Sequence, residues 1–394
     1  MKLLHISTRG TDFLNEVLYS GFKEARVDVY DLPYKPLNHA EVVHGRLFIY
    51  DTEGSVMGEE SEEDGMIHFP KGYFGSNRAL KWECSTDLRK TNLTPFKDEV
   101  DLDYFDEIII GGLRRDNLAL DIASEVYSKC ADRVNLVDGY DDPFIRSASN
   151  KTKLYFKREL MKERNASLLS WFYKIYPRRD LNTKKKVNQI GGKNTFLNIF
   201  YPPIPAESNI LPINLSINNH TSLSEAVHSK SNREYDISFL CSPNTKYRIA
   251  FSNFLRNFAK KERLKIFIAN QPDEIGGTKH MGTLHWNKYV EIIKSTKVSV
   301  SLPGGGFDTA RYWEIPYYGS VLASPPLPIN IPNNFEDGKS AIFFDSYSEF
   351  ISKVRKIIHD GSWFDIAEHG KKVFTQHHSS KQRAQTVLEA IAEK

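Results

Sequence analysis

Cysteine is scarce. The 394 residues hold three, Cys84, Cys130 and Cys241, widely separated along the chain. An odd, scattered set with no CxxC or Cys/His spacing argues against a disulfide framework and offers no zinc pattern. The three thiols read instead as small hydrophobes in a reducing compartment. An excess of one charge is lacking as well. A formal net charge of +3 is small for this length. It gives no reason to invoke nucleic acid, whose binders carry a strongly basic face. No apolar run nears the roughly 20 residues that span a bilayer. The opening MKLLHISTRG is too short an apolar stretch for a secretory leader, and charges follow at once. Neither amino-terminal strand leads into GxGxxG, so a dinucleotide-dependent dehydrogenase is the weakest reading. These absences point to a soluble, cytosolic protein.

What the chain does hold is enough for two packed domains: 40% hydrophobic and 26% charged residues. Residues 2–7, 15–25 and 27–30 read as strand, helix and strand, the start of a βαβ unit. Within 36–100, residues 46–51 read as a strand, and the acidic 53–64 and the stretch 72–77 as loops. EIIIGG, ending at Gly112, is a buried parallel strand. A helix over 117–129 and a strand over 134–138 follow. Residues 154–164 read as a basic helix. Residues 165–230, with SWFYKIYPRRDLNTKKKVNQIGGKN and YPPIP, break the rhythm and read as a linker with some ordered insertion. Its Arg178, Arg179, Lys184, Lys185 and Lys186 are candidates for touching an acidic substrate or a membrane surface. A second α/β unit opens at Tyr235. Its expected strands lie at 236–241, 264–269, 297–302, 320–323 and 341–344, and its helices at 247–260, 285–295, 350–359 and 380–393.

The most informative stretch runs from Val300 to Ser324: strand, glycine triplet, helix, turn, strand. Gly304, Gly305 and Gly306 leave the backbone free to approach a ligand. The helix behind them aims unpaired N–H groups at the same place. Asp308, Thr309, Arg311 and Glu314 follow. With Asp308, Arg311 and Glu314 three apart, one helix would set them on a single face. Arg311 suits phosphate through its planar fork, and Glu314 suits two adjacent hydroxyls, as on a ribose. An internal Asp–Arg–Glu ion-pair ladder would explain the charges but not the glycines. The pattern points to a nucleotide-sugar site at the carboxyl edge of a parallel sheet. In the first half, Asp138, Asp141 and Asp142 sit in a loop beyond a strand's carboxyl end, where ligands of open α/β sheets bind. His5 lies within a predicted strand.

GGGFDTARYWEIPYYGSVLAS resembles the donor-site segment of GT-B glycosyltransferases, in particular group 1 proteins of the CgeB-like and exostosin-like sort. LVDGYDDPF with LYFKREL, YDISFLCSPNTKYR and HHSSKQRAQTVLEAI are similar to further segments of that group, in the same order, across most of residues 105–394. The resemblance implies an α/β chain of two Rossmann-like parallel-sheet domains facing across a cleft. Residues 1–165 would form the acceptor domain, 166–230 a partly basic linker or insertion, 231–375 the nucleotide-sugar domain, and 376–394 a closing helix that crosses back to the first domain. It implies transfer of a sugar from a nucleotide-sugar donor to a glycan or lipid-linked acceptor, as in polysaccharide biosynthesis. Peripheral contact with the inner membrane face through 171–189 goes with that reading. Donor contacts would come from the glycine loop, Asp308, Thr309, Arg311 and Glu314. Ser242, Lys246 and Arg248, after the first strand of the second domain, would add to them. Asp141, Asp142 or His5 would serve as the general base if the reaction inverts configuration. No cofactor is required beyond the co-substrate, and nothing calls for a metal. DLD at 101–103 precedes a strand, and the adjacent His377 and His378 diverge on a helix. A GT-B-shaped epimerase or phosphorylase, and a non-catalytic two-lobed nucleotide- or carbohydrate-binding protein, are the alternatives.

Overall fold

The computed structural model describes residues 1–7, 13–33, 39–43, 46–50, 56–60, 67–68, 102–111, 126, 128–141, 145–146, 152–162, 199–200, 209–217, 233–241, 246–269, 286–304 and 306–394. The chain opens as strand β1 (Lys2–Ser7), helix α1 (Phe13–Glu24) and strand β2 (Asp28–Pro33). An antiparallel meander follows: β3 (His39–Val43), β4 (Arg46–Tyr50), β5 (Val56–Glu60) and β6 (Ile67–His68). Strand β7 (Glu107–Gly111) returns to the first sheet, joined by β8 (Val134–Asp138). A short pair, β9 (Ile145–Arg146) and β11 (Ile199–Phe200), flanks β10 (Leu154–Lys157) in sequence, and β12 (Ile210–Pro212) completes the sheet. Its order is β12-β10-β8-β7-β1-β2, parallel throughout. Buried on both faces, β7 and β8 are continuous in burial, as parallel strands require.

The second sheet holds β13 (Tyr235–Phe239), β14 (Ile266–Ile268), β15 (Thr296–Val300), β16 (Val321–Ser324) and β17 (Ile342–Phe343). Its order is β14-β13-β15-β16-β17, again all parallel. Around it lie α2 (Lys246–Glu262), α3 (Trp286–Lys294), α4 (Ala310–Tyr317), α5 (Tyr347–Asp360) and α6 (Trp363–His377). Apolar residues at helical spacing seat them: Phe251, Leu255 and Phe258 on α2, and Phe350, Val354 and Ile357 on α5, all buried. Two parallel-sheet α/β domains are therefore present, as the GT-B expectation requires.

The two sheets are sewn together. Residues 160–162 run antiparallel to 328–330, with Lys162 N–H on the Pro328 carbonyl at 2.9 Å and Asn330 N–H on that of Leu160 at 2.6 Å. The last helix, α7 (Ser380–Ala392), lies on α1 of the first domain. Gly21 permits that approach: a Cβ there would stand 2.1 Å from the Ser380 carbonyl oxygen. Ser380 Oγ donates to Glu24 Oε1 at 2.9 Å. One apolar core spans the junction, holding Leu3, Phe22 and Phe156 together with Trp313, Leu322, Phe374 and Val387.

Four stretches differ from the sequence reading. Residues 154–157 are a strand, not the start of a basic helix, and the chain turns at 158–159. LYFK is buried between β8 and β12, and strand pairing overrides helix propensity there. The acidic 53–64 contains β5, paired with β4. Residues 210–212, placed in the linker, form an edge strand of the first sheet, where Pro212 is tolerated because an edge needs no donor. Helix α6 was not anticipated; its Gly370 weakens the helical pattern, yet a Cβ there would meet the Ser340 carbonyl oxygen at 2.6 Å. The stretches 72–77 and 171–189 and most of 117–129 lie outside the described residues.

Candidate functional site

In the second sheet the strand order reverses between β13 and β15. Loops leaving the carboxyl ends of two such strands part to opposite sides and open a crevice. Cys241 follows β13, and Leu302, Pro303 and Gly304 follow β15. Arg248, in the first turn of α2, reaches across: its Nη2 donates to the Leu302 carbonyl at 2.8 Å and its Nε to that of Pro303 at 3.1 Å. Gly304 leaves room for it, since a Cβ there would lie 2.5 Å from Nη2. Burial lowers the Arg248 pKa to about 10, and the neighbouring Arg311 pushes it the same way.

Arg311 and Glu314 stand on α4, Tyr289 on α3. Tyr289 donates its hydroxyl to Glu314 Oε2 at 2.6 Å. Burial opposes the charge of Arg311, but Tyr289, Cys241 and Glu314 outweigh it and hold its pKa above the ordinary value. The Arg311 Nε is buried without a hydrogen-bond partner. Among the described residues, the cluster sets two mutually repelling guanidinium groups beside one carboxylate. Two cations at the carboxyl edge of a sheet, one with a buried donor unused, suit an anion with several oxygens.

Thr309 caps α4 and shares a hydrogen bond with Ser301 Oγ at 3.0 Å. Asp308 precedes that cap. Helical spacing does not extend to it, and it does not share the face expected from sequence. Its carboxylate is fully buried and accepts from Leu215 N–H and Trp313 Nε1, both at 2.6 Å. It therefore joins the domains instead of facing the arginines.

The first domain contributes Arg158 and Glu159 from the turn after β10. Arg158 pairs with Asp141, donates to the Asp308 carbonyl, and stands 3.6 Å from the Asp308 carboxylate. The fully buried Glu159 accepts from the N–H groups of Phe307 and Asp308, each at 3.0 Å. A Cβ on Gly306 would lie 2.2 Å from Glu159 Oε1 and 3.3 Å from Asp141 Cβ. Burial pushes the Glu159 pKa up to about 7; Arg158 and the Phe307 amide pull it down, and Asp308 and Asp141 push it further up. Beneath this turn, Lys157 Nζ stands 3.1 Å from Asp138, which also accepts from the Tyr155 hydroxyl.

The structure thus gathers Arg248, Gly304, Arg311 and Glu314 with Tyr289, and sets Asp141 beside Gly306 with Arg158 and Glu159. It does not bring His5 to either group. His5 is 1% exposed in mid-β1, its ring 6.2 Å from those of Tyr19 and Phe22. Its side chain packs against α1. Asp142, Ser242 and Gly305 lie outside the described residues, as does the side chain of Lys246. Among the described residues no His, Cys, Asp or Glu group is placed to hold a metal. Of the residues missed, Tyr289 lies within the helix expected over 285–295, where nothing local marks it for a polar role. Arg158 and Glu159 were hidden in the supposed basic helix; LYFK, apolar but for its last residue and bounded by a charged turn, was the available sign of a strand.

Residues 248–389 match the family described as glycosyl transferase-like. That span begins at Arg248 and contains Arg311 and Glu314. No curated protein matches the chain. Among solved structures, an α-glucosyltransferase (AGT) in complex with UDP is 10% identical with a TM-score of 0.47, covering 100% of both chains. A TarM variant from S. aureus, in complex with Fondaparinux, alpha-GlcNAc-glycerol and UDP, is 11% identical with a TM-score of 0.45, over 99% of this chain and 100% of that one. A putative UDP-N-acetylglucosamine 2-epimerase from Listeria monocytogenes is 9% identical with a TM-score of 0.45, over 100% and 96%.

Proposed function

We propose that the protein is a GT-B glycosyltransferase that moves a sugar from a nucleotide-sugar donor to a hydroxyl of a glycan or lipid-linked acceptor. The observation that carries this reading is the cluster of Arg248, Arg311, Tyr289 and Glu314 at the switch between β13 and β15, inside the glycosyl transferase-like span. The two guanidinium groups would receive the diphosphate. Their positive charge is fixed in place before reaction, so it stabilises the negative charge that grows on the leaving nucleotide. Glu314, its Oε2 oriented by Tyr289, would accept from ribose hydroxyls. On the opposite side Asp141, held by Arg158 beside Gly306, is the acceptor-facing carboxylate; as general base it would take the hydroxyl proton while the sugar carbon is attacked. The basic, aromatic segment 171–189 would bring the enzyme to a membrane bearing a lipid-linked acceptor, on the cytoplasmic face. Among the described residues no helix is long and apolar enough to cross a membrane.

Calorimetric titration with UDP, GDP, CMP, ADP and dTDP tests the donor site. One nucleotide should bind the wild type, and Arg311→Ala and Glu314→Ala should each weaken it at least tenfold while the melting transition stays cooperative. Unchanged affinity in both variants overturns the site. Product analysis with the matching nucleotide sugar then separates transfer from epimerisation, which needs no acceptor.

A further inference from the structure

We infer that Glu159 is an internal occupant of the glycine loop's anion-receiving amides, a latch that a donor phosphate displaces. The inference rests on the nucleotide-sugar reading of the same site.

Two consecutive N–H groups, of Phe307 and Asp308, converge on one carboxylate in the turn ahead of the α4 cap. Successive amides in a turn can converge on one anion and form a nest for it. The carboxylate that fills the nest comes from the other domain, 148 residues away from Phe307 in sequence. It is a delivered group. The preceding Arg158 is braced on the Asp308 carbonyl and on Asp141, so the turn presents Glu159 in one place. Gly306 makes the space, for any side chain there would strike Glu159 Oε1.

The nest adjoins the arginine cluster. The loop approaches Arg248 at Gly304 and Glu159 at Gly306, and Gly304 N–H donates to the Gly306 carbonyl at 2.9 Å. An anion drawn in by Arg248 and Arg311 is therefore led to amides that Glu159 holds. A phosphate oxygen and a carboxylate oxygen ask the same of an N–H, so the two compete for one position.

The charges facing Glu159 are those of Arg158, Asp308 and Asp141. With the latch closed its pKa is about 7, and released into water it returns towards 4.5. Closing therefore takes up a proton between these values. The latch is strongest below about pH 4.5, weakens as pH rises, and reaches its weakest plateau above about 7.

The test is calorimetric titration of wild type, Glu159→Ala and Glu159→Gln with UDP and with inorganic pyrophosphate, at pH 6 and pH 8. Glu159→Ala should bind both ligands more tightly than wild type at pH 6, by roughly tenfold or more. That advantage should shrink by about tenfold at pH 8, as expected for one proton released over this range. Ionisation of the ligand itself is common to all three proteins and cancels in the ratio. Glu159→Gln keeps one acceptor and should gain less; it also serves if the alanine variant fails to fold. Equal or weaker binding in the variants overturns the latch and leaves the donor reading standing if wild type binds UDP. A gain for pyrophosphate with no UDP binding by any protein supports the latch and removes the nucleotide. No binding of either ligand by any of the three removes both.

Discussion

At the scale of single residues, the chemistry divides between groups that announce themselves by type and groups that act only through distant partners. Arg311, Glu314 and the glycines belong to the first kind, since their types stand together in one short stretch of sequence. Tyr289 and Glu159 belong to the second. Tyr289 lies 25 residues from Glu314 and Glu159 148 residues from Phe307, and no local pattern encodes those pairings. Asp308 was legible as a charge but not in direction, because the helix starts two residues after it. Tyr289→Phe isolates one of these hidden contributions. It removes the hydroxyl that orients Glu314 and supports Arg311 without opening a cavity. A lost hydrogen bond of this kind is worth about 0.5–1.5 kcal/mol. Nucleotide affinity measured by calorimetry should fall about three- to tenfold, with the melting temperature lowered by no more than a few degrees; a loss of stability without a loss of affinity would make Tyr289 a packing residue.

Among the elements, those with strong period and clear ends matched the sequence reading: β1, β7, β8, α2, α5 and α7 each stand within a few residues of expectation. The elements missed share a physical cause. Strand β10 ends on a lysine and runs into an arginine, both of which look solvent-facing, yet Lys157 is fully buried against Asp138. Helix α6 carries a glycine in its middle, which costs helical propensity, but the close approach of the Ser340 carbonyl leaves no space for a side chain. In both cases a neighbouring element, not the local sequence, decides. The contact of α1 with α7 puts this to the test. Gly21→Leu would drive a side chain into the Ser380 backbone, and overpacking of this sort costs about 1–3 kcal/mol or more. Chemical denaturation should show that loss, whereas Gly338→Ala, at an open left-handed turn with nothing within 4 Å, should cost less. A Gly21→Leu protein as stable as wild type would mean that α7 does not hold its place on α1.

For the molecule as a whole, the two-sheet architecture was legible because both halves repeat the βα rhythm, but the seam between the sheets was not. That seam is built from Arg158, Glu159, the antiparallel run 160–162, Asp308 and the closing helix, all joined by long-range contacts. One apolar cluster takes residues from β1, α1 and β10 and from α4, β16, α6 and α7. Domains that share a core do not melt separately. Differential scanning calorimetry should therefore show one transition. Two resolved transitions would mean that the halves are coupled only by their polar contacts.

The pairing of the first helix with the last also sets a condition on biosynthesis. Ser380 follows Glu24 by 356 residues. At translation speeds of about 5–20 residues per second, roughly 20–70 s pass before the ribosome releases the segment that covers Gly21 and its apolar neighbours. During that interval the emerging amino-terminal half exposes an unfinished greasy flank, and chaperones that bind nascent chains would find it there.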